Sequence, residues 1–166
     1  MTADSGPGNQ TVSAEIRQAV ASEAIFVLGC VSAAFAAYRN DYTPGAYADT
    51  VPPIAAFERR FREMTVFIAD SHGAVIGTVG CSVVSAEEGH LRGMAVLPSA
   101  EGSGVGAELL AAAERFLARQ GCSRITLDTT QVLRRAIRFY ERNGYVATGR
   151  VDDFFGMSLY EYAKDL

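Results

Sequence analysis

The chain has 166 residues, 49 % of them hydrophobic, which is enough for one domain with a full core and excludes the disordered and fibrous classes. Its net charge of −4 argues against nucleic acid as the main ligand and is compatible with a cationic partner. The three cysteines are odd in number and far apart, which excludes a disulfide framework and a CxxC metal site and indicates a reducing compartment.

The chain begins with a polar segment rich in glycine, proline and serine. We expect residues 1–12 to form a disordered tail and residues 13–166 a single domain. The tail lacks the basic and apolar regions of a signal peptide, which favours a cytoplasmic protein. A first strand is predicted at Glu15–Ala19. The apolar run Ala24–Tyr38 is shorter than the roughly 20 residues that a bilayer requires, so we expect a buried helix with Ser22 as its N-cap, or alternatively a dimer contact.

A loop rich in turn formers and tyrosines is predicted over residues 39–53 (RNDYTPGAYADTVPP). Ile54–Glu63 repeats its apolar residues at helical spacing and is predicted as a second helix. Thr65–Ala69 and Ala74–Val84 are rich in β-branched residues and predict two strands. Asp70–Gly73 between them predicts a hairpin turn.

The second half of the chain alternates strands and helices. Four strands are predicted there, at His90–Val96, Arg124–Thr129, Tyr145–Val151 and Phe155–Tyr162. One helix opens at Val105 and is capped by Gly121, and a second spans Leu133–Asn143. This order of elements predicts a mixed central sheet covered by helices.

The turn before the Val105 helix, residues 101–106 (EGSGVG), has almost no side chains to shield its amides. A helix N-terminus carries unpaired N–H groups and a partial positive charge, so amides placed there form a cradle for an anion. The lysine of a P-loop is absent, since Ala107 and Glu108 follow the turn. We expect a phosphate-bearing cofactor at this turn. The alternative is that the glycines only allow a tight connection between strand and helix.

Three segments carry a family resemblance: RGMAVLP at residues 92–98, GSGVGAELL at 102–110 and AIRFYERNGY at 136–145. Together they resemble the GNAT superfamily of acyl-CoA-dependent N-acetyltransferases. The resemblance implies a single α/β domain with a mixed, mostly antiparallel sheet of six or seven strands and about four helices. It also implies transfer of the acetyl group of acetyl-CoA to a primary amine, with no metal.

The resemblance further implies where acetyl-CoA would bind. Main-chain groups of the strand would contact its pantetheine arm and thioester, and the turn amides would hold its pyrophosphate. Glu101 departs from the usual arginine or glutamine, and Leu133 from a frequent asparagine, for which Gln131 is the candidate substitute. The cofactor contacts expected on this basis are Met94, Ala95, Val96, Glu101, Gly102, Ser103, Gly104, Val105, Gly106, Gln131, Leu133 and Arg135.

Two residues fall at catalytic positions of the family. Tyr140 stands where a tyrosine often protonates the departing thiolate; the alternative is a tyrosine that only packs. His90 stands where some members carry a glutamate that acts as general base, and its pKa is suited to that role. The alternative for His90 is a solvated residue at the start of a strand.

Acidic and aromatic residues gather in two predicted loops, where they would suit a small cationic amine through charge and cation–π attraction. The candidate substrate contacts are Tyr38, Tyr42, Tyr47, Asp152 and Phe154. A solvated turn beside a hydrophobic rim is the alternative. Other acceptors left open are a protein N-terminus or lysine, and a non-catalytic acyl-CoA sensor is a different class of function. No nucleic acid or membrane partner is expected, and a homodimer is possible.

Overall fold

The computed structural model describes residues 12–166, so the tail predicted over residues 1–12 lies almost wholly outside the described part. The strands are β1 Glu15–Gln18, β2 Thr65–Ser71, β3 Ala74–Val83, β4 Glu88–Val96, β5 Arg124–Thr130, β6 Val146–Phe154 and β7 Met157–Asp165. The helices are α1 Ala24–Phe35, α2 Pro44–Thr50, α3 Ile54–Arg62, α4 Val105–Arg119 and α5 Arg134–Arg142.

The seven strands form one sheet in the order β1-β2-β3-β4-β5-β7-β6. Within residues 12–166 only β4 and β5 pair in parallel, and every other neighbouring pair is antiparallel. This confirms the predicted mixed, mostly antiparallel sheet, and the same described residues form five helices where about four were expected. One core cluster lies between the sheet and α4, and a second between the sheet, α1 and α3.

Two predictions for the first half of the chain are wrong. The loop predicted over residues 39–53 contains α2, because Thr43 accepts a hydrogen bond from the Ala46 N–H at 3.3 Å and Pro44 opens the helix. Ser22 is not an N-cap. It lies in a 3₁₀ turn that precedes α1, where the Glu23 carboxylate accepts the Val20 N–H at 2.8 Å.

The helix predicted over residues 24–38 is buried on one face only. Ala24, Val27, Cys30 and Val31 pack inward, whereas Phe26 is 64 % exposed. With the 3₁₀ turns at both ends the helical segment spans 21 residues, Ala21–Asp41, which by length and composition could cross a membrane. The expectation that this segment is too short is therefore wrong. In this fold α1 packs on β3, β4 and α3.

The second acidic and aromatic stretch is also not the predicted loop. Asp152 and Phe154 belong to β6, which pairs with β7 as far as Phe154 and Met157. The turn itself is two residues long, Phe155 and Gly156, both with positive φ of 51° and 87°. Such a turn matches the twist of the strands it joins.

The sheet opens at the centre, between β4 and β5. Their parallel pairing runs only from Glu88 and Arg124 to Leu91 and Leu127. Just beyond it the β3–β4 register shifts at a bulge that contains Gly93, whose φ is +65°. In the described part of the chain, the edge of β4 that faces β5 has no strand partner after Leu91, so the main-chain groups on that edge are open to a ligand.

Candidate active site

Two cavities meet where β4 and β5 separate. The turn-side cavity, of about 420 Å³, lies between β4, the turn at residues 101–106 and α5. The sheet-side cavity, of about 530 Å³, lies on the face of the sheet that α1 and α3 cover. The four residues that line both are Phe35, Met94, Leu133 and Tyr140. A molecule in one cavity can therefore meet a molecule in the other beside these four side chains.

The turn in front of α4 presents bare amides to the turn-side cavity. Gly102 and Gly104 have φ of +75° and +91°, a conformation that favours glycine. A Cβ built on Gly104 would meet no protein atom within 4 Å. Glu108 is the first residue of α4 whose N–H reaches back to a carbonyl, that of Gly104 at 3.1 Å. Within the turn the Ser103 N–H donates to the Ala100 carbonyl at 3.3 Å and the Val105 N–H donates to the Ser103 hydroxyl oxygen at 3.5 Å. In the described part of the chain the amides of Gly102, Gly104 and Gly106 have no such acceptor, so they can bind an anion at the positive end of a 15-residue helix.

The carboxylate of Glu101 at this turn has a partner. It lies 3.0 Å from the Arg135 guanidinium, which reaches across from the first turn of α5. Both side chains are substantially exposed, at 38 % and 58 %. The pair neutralises the negative charge beside the cradle, so the backbone amides and helix dipole still favour an anion.

The structure places most of the predicted cofactor contacts together. Met94, Ala95 and Val96 line the turn-side cavity, as do Leu133 and Arg135. In contrast, the side chains at two turn positions point away: Val105 is buried in the core, and the Ser103 hydroxyl donates to the Ala100 carbonyl. The amides of both residues also have acceptors within the turn, so neither residue offers a free group to the cavity. Gln131 lines neither cavity.

Tyr140 lies where the cavities meet and is buried. Its ring packs edge-on against Phe139 and Tyr145, with ring centroids 5.6 and 6.0 Å away. Burial raises the Tyr140 pKa above its ordinary value of 10, and the nearby Tyr42 raises it further. The hydroxyl therefore stays protonated at neutral pH and can donate a proton to a stronger base beside it.

His90 forms part of a polar chain in the sheet-side cavity. Its Nδ1 lies 2.8 Å from the Thr126 hydroxyl, and its Nε2 lies 3.5 Å from a carboxylate oxygen of Asp128. The parallel register sets His90 opposite Thr126, and Asp128 follows two residues later on the same face of β5. The contact with Asp128 was not predicted, because it depends on this register between strands that are distant in the chain.

The surroundings of His90 favour its neutral form. Burial lowers the His90 pKa below 6.5, while the negative charge of Asp128 opposes that shift. Burial raises the Asp128 pKa, and His90 opposes that shift in turn. A neutral imidazole beside a carboxylate can accept a proton and share the resulting charge with its neighbour.

The structure separates the predicted substrate contacts. Tyr42 and Phe154 line the sheet-side cavity, and the Tyr42 hydroxyl is 3.0 Å from that of Thr130. Tyr38 lines the turn-side cavity instead. Tyr47 and Asp152 line neither: Tyr47 stacks under Arg39 at 5.0 Å, and Asp152 pairs with Arg150 at 3.1 Å.

Two arginines of the sheet-side cavity were also not predicted. Arg60 on α3 donates to the Asp49 carbonyl at 2.9 Å and lies 3.2 Å from one Asp49 carboxylate oxygen. Arg92 on β4 lies 3.3 Å from the other oxygen. Asp49 comes from α2, the helix absent from the predicted elements. No sequence signal pairs these three residues, since they come from three separate elements.

Two sequence comparisons relate this chain to N-acetyltransferases. Residues 31–145 match the acetyltransferase (GNAT) family. Over 135 residues the chain is 30 % identical to an uncharacterized N-acetyltransferase, YhfO, of Bacillus subtilis (strain 168), covering 78 % of this chain and 88 % of that protein.

Solved structures share the fold. A GCN5-related N-acetyltransferase from Rhodopseudomonas palustris superposes with a TM-score of 0.76 at 22 % identity, over 96 % of this chain and all of that one. The PaiA N-acetyltransferase from Thermoplasma acidophilum, in complex with coenzyme A, has a TM-score of 0.76 at 17 % identity, over 93 % of this chain and 99 % of that one.

Proposed function

This chain belongs to the acetyltransferase (GNAT) family, and we propose that it transfers the acetyl group of acetyl-CoA directly to the primary amine of a small molecule. One observation carries the proposal. The turn-side cavity, which contains the candidate phosphate site, and the sheet-side cavity meet at Tyr140, so two substrates can be held together with a proton donor between them. Holding both reactants in one geometry is itself a large part of such catalysis.

The turn-side cavity suits acetyl-CoA. The free amides of Gly102, Gly104 and Gly106 at the N-terminus of α4 fit its pyrophosphate, where a Cβ on Gly104 would occupy the open space. The unpaired edge of β4 around Met94 can contact the pantetheine arm, whose amides need main-chain partners. When bound, acetyl-CoA supplies the activated thioester.

The sheet-side cavity suits a small acceptor. Its volume of about 530 Å³ lies within the usual range of roughly 300–1,000 Å³ for small-molecule sites. An amine reaches the site as a cation, because free amines have a pKa near 10, and must lose a proton before it attacks. His90 is the base we assign to that proton: its Nδ1 is bound to the Thr126 hydroxyl, so the amine would approach Nε2 beside the Asp128 carboxylate.

Residues of β4 and α5 carry out the remaining two steps, stabilisation of the thioester oxygen and protonation of the sulfur. A main-chain N–H near Met94 is suited to stabilise the negative charge that develops on the thioester oxygen. The Tyr140 hydroxyl gives its proton to the departing sulfur and recovers one from the acetylated nitrogen, which loses its second proton as the amide forms. The C–S bond breaks as the C–N bond forms, the thiol of CoA is released, and His90 passes the first proton to solvent.

The test is an assay of thiol release from acetyl-CoA against a panel of polyamines, amino acids, aminoglycosides and short peptides. We expect release with one class of small amine, together with the acetylated product. Release with peptides only would transfer the proposal to a protein acceptor. Binding of acetyl-CoA without release from any amine would instead indicate a sensor domain.

A further inference from the structure

The sheet-side cavity contains an arrangement of charge that an amine alone does not explain. Two guanidinium groups, Arg60 and Arg92, converge on the single carboxylate of Asp49. Each Asp49 oxygen faces one arginine, so the carboxylate is shared between the two guanidinium groups. Glu63 at the rim also faces Arg60, but its side chain is exposed to solvent.

The two arginines differ in what they can still bind. Arg60 makes two contacts with Asp49, and its side chain is 20 % exposed. Arg92 makes one hydrogen bond within residues 12–166, from Nη2 to Asp49, and its side chain is 46 % exposed where it lines the cavity. A guanidinium has five N–H donors in a planar fork that matches a carboxylate. Arg92 is therefore held in place by Asp49 with most of its donors open to the cavity.

The like charges also affect each other. Burial lowers the pKa of Arg60, and the positive charge of Arg92 lowers it further, against the opposing pull of Asp49. The cavity lining also contains the carboxylates of Asp49, Glu63 and Asp128, so the attraction for a further anion is local to the open N–H donors of Arg92.

Arg92 also has the right position. It lies on β4 between His90 and Met94, and all three side chains line the sheet-side cavity. His90 and Arg92 are alternate residues of the strand and are roughly 6.6 Å apart along it. Met94 follows across the bulge at Gly93 and lines the same cavity. A group bound by Arg92 would therefore lie beside the place where an acceptor amine meets both His90 and the thioester near Met94.

We propose that Arg92, positioned by Asp49 and Arg60, binds a carboxylate of the acceptor, which is therefore an amino carboxylic acid with the anion close to its amine. This rests on the proposed acetyl transfer and names the substrate class of the same site. Charge-assisted hydrogen bonds to a carboxylate correspond to roughly 10–100-fold in affinity.

The experiment compares matched acceptors, a panel of amino acids and their carboxamides, by thiol release from acetyl-CoA. We expect the wild type to favour the acids about tenfold or more in kcat/KM. Arg92→Gln should bring the acid-to-amide ratio close to one. Arg124→Gln is the matched control, since Arg124 is 43 % exposed, forms one ion pair and lines neither cavity. It should keep the wild-type ratio.

A second measurement does not depend on turnover. With CoA present, N-acetylated amino acids should raise the melting temperature of the wild type and of Arg124→Gln more than their amides do, and this preference should vanish in Arg92→Gln. Equal use of acids and amides, or an unchanged ratio in Arg92→Gln, overturns the proposal while acetyl transfer stands. Failure of CoA to bind or react at all refutes acetyl transfer itself, and the carboxylate proposal with it.

Discussion

The carboxylate of Glu101 lies 3.0 Å from the guanidinium of Arg135, across the mouth of the turn that opens α4. An acidic residue beside a phosphate cradle is unfavourable when it stands alone, because it repels the phosphate. The pair joins the turn to α5, so we expect the affinity for CoA to depend on Arg135, which lies outside the glycine motif. Substituting either partner of this ion pair tests how its charges affect CoA binding.

Changing the two partners should move CoA affinity in opposite directions. Arg135→Gln leaves Glu101 unpaired and should weaken CoA binding roughly 2–5-fold, in line with the small energies of exposed ion pairs. Glu101→Gln should strengthen binding by a similar factor, and both effects should shrink at high salt. Titration calorimetry measures this, with Arg138→Gln, exposed on α5 and outside both cavities, as the control. Changes in the same direction would show that Glu101 does not face the phosphate.

A substitution at Gly104 can separate the effect of backbone strain on stability from the effect of a side chain on CoA binding. Gly104→Ala and Gly149→Ala both place a Cβ in open space at φ +91°. Each should lower the free energy of unfolding by about 1–2 kcal/mol. Only Gly104→Ala should also weaken CoA binding, by about tenfold or more, since its methyl group enters the cradle. Equal CoA affinity in the two variants would remove the turn from the binding site.

Tyr140→Phe tests the proton donor. Without the hydroxyl, kcat should fall by about 100-fold while the Kd for acetyl-CoA stays nearly unchanged. Tyr145→Phe is the matched control, because its hydroxyl donates to Glu114 at 3.0 Å and lines neither cavity. It should cost about 1 kcal/mol of stability and leave kcat near the wild-type value. If kcat survives in Tyr140→Phe, this tyrosine only packs.

The pH dependence tests His90. Its pKa lies below 6.5 because of burial, so kcat/KM should fall as the pH drops through that lowered pKa, where His90 becomes protonated and can no longer accept a proton. Asp128 raises the His90 pKa, so Asp128→Asn should move this acid limb to lower pH and reduce the plateau. Steady-state rates measured across the pH range give both the position of the acid limb and the height of the plateau. A limb that is unmoved in Asp128→Asn and persists in His90→Gln would assign the base elsewhere.

The features that were predicted correctly are mostly local in the chain. The helix predicted to open at Val105 is α4, whose apolar residues Leu109, Leu110 and Leu117 repeat at helical spacing and are buried. Gly121, the predicted cap, follows it with positive φ. The glycine turn with Gly102 and Gly104 was likewise predicted from consecutive residues, without reference to distant parts of the chain.

The missed features depend on contacts between distant residues. Asp128 reaches His90 only because β4 and β5 pair in parallel at one register. Arg92 meets Asp49 only because α2 replaces the predicted loop. The helix could have been found from Thr43 and Pro44, which are suited to the N-cap and the first helical position.

Acetyl transfer is tested most directly by thiol release from acetyl-CoA with the purified wild-type chain, using the acceptor panel as second substrate and mass spectrometry to identify the product. Direct transfer predicts that free thiol and the acetylated small amine appear in equal amounts, and that both depend on Tyr140. Acetyl-CoA bound tightly, with no thiol released in the presence of any amine, would contradict it.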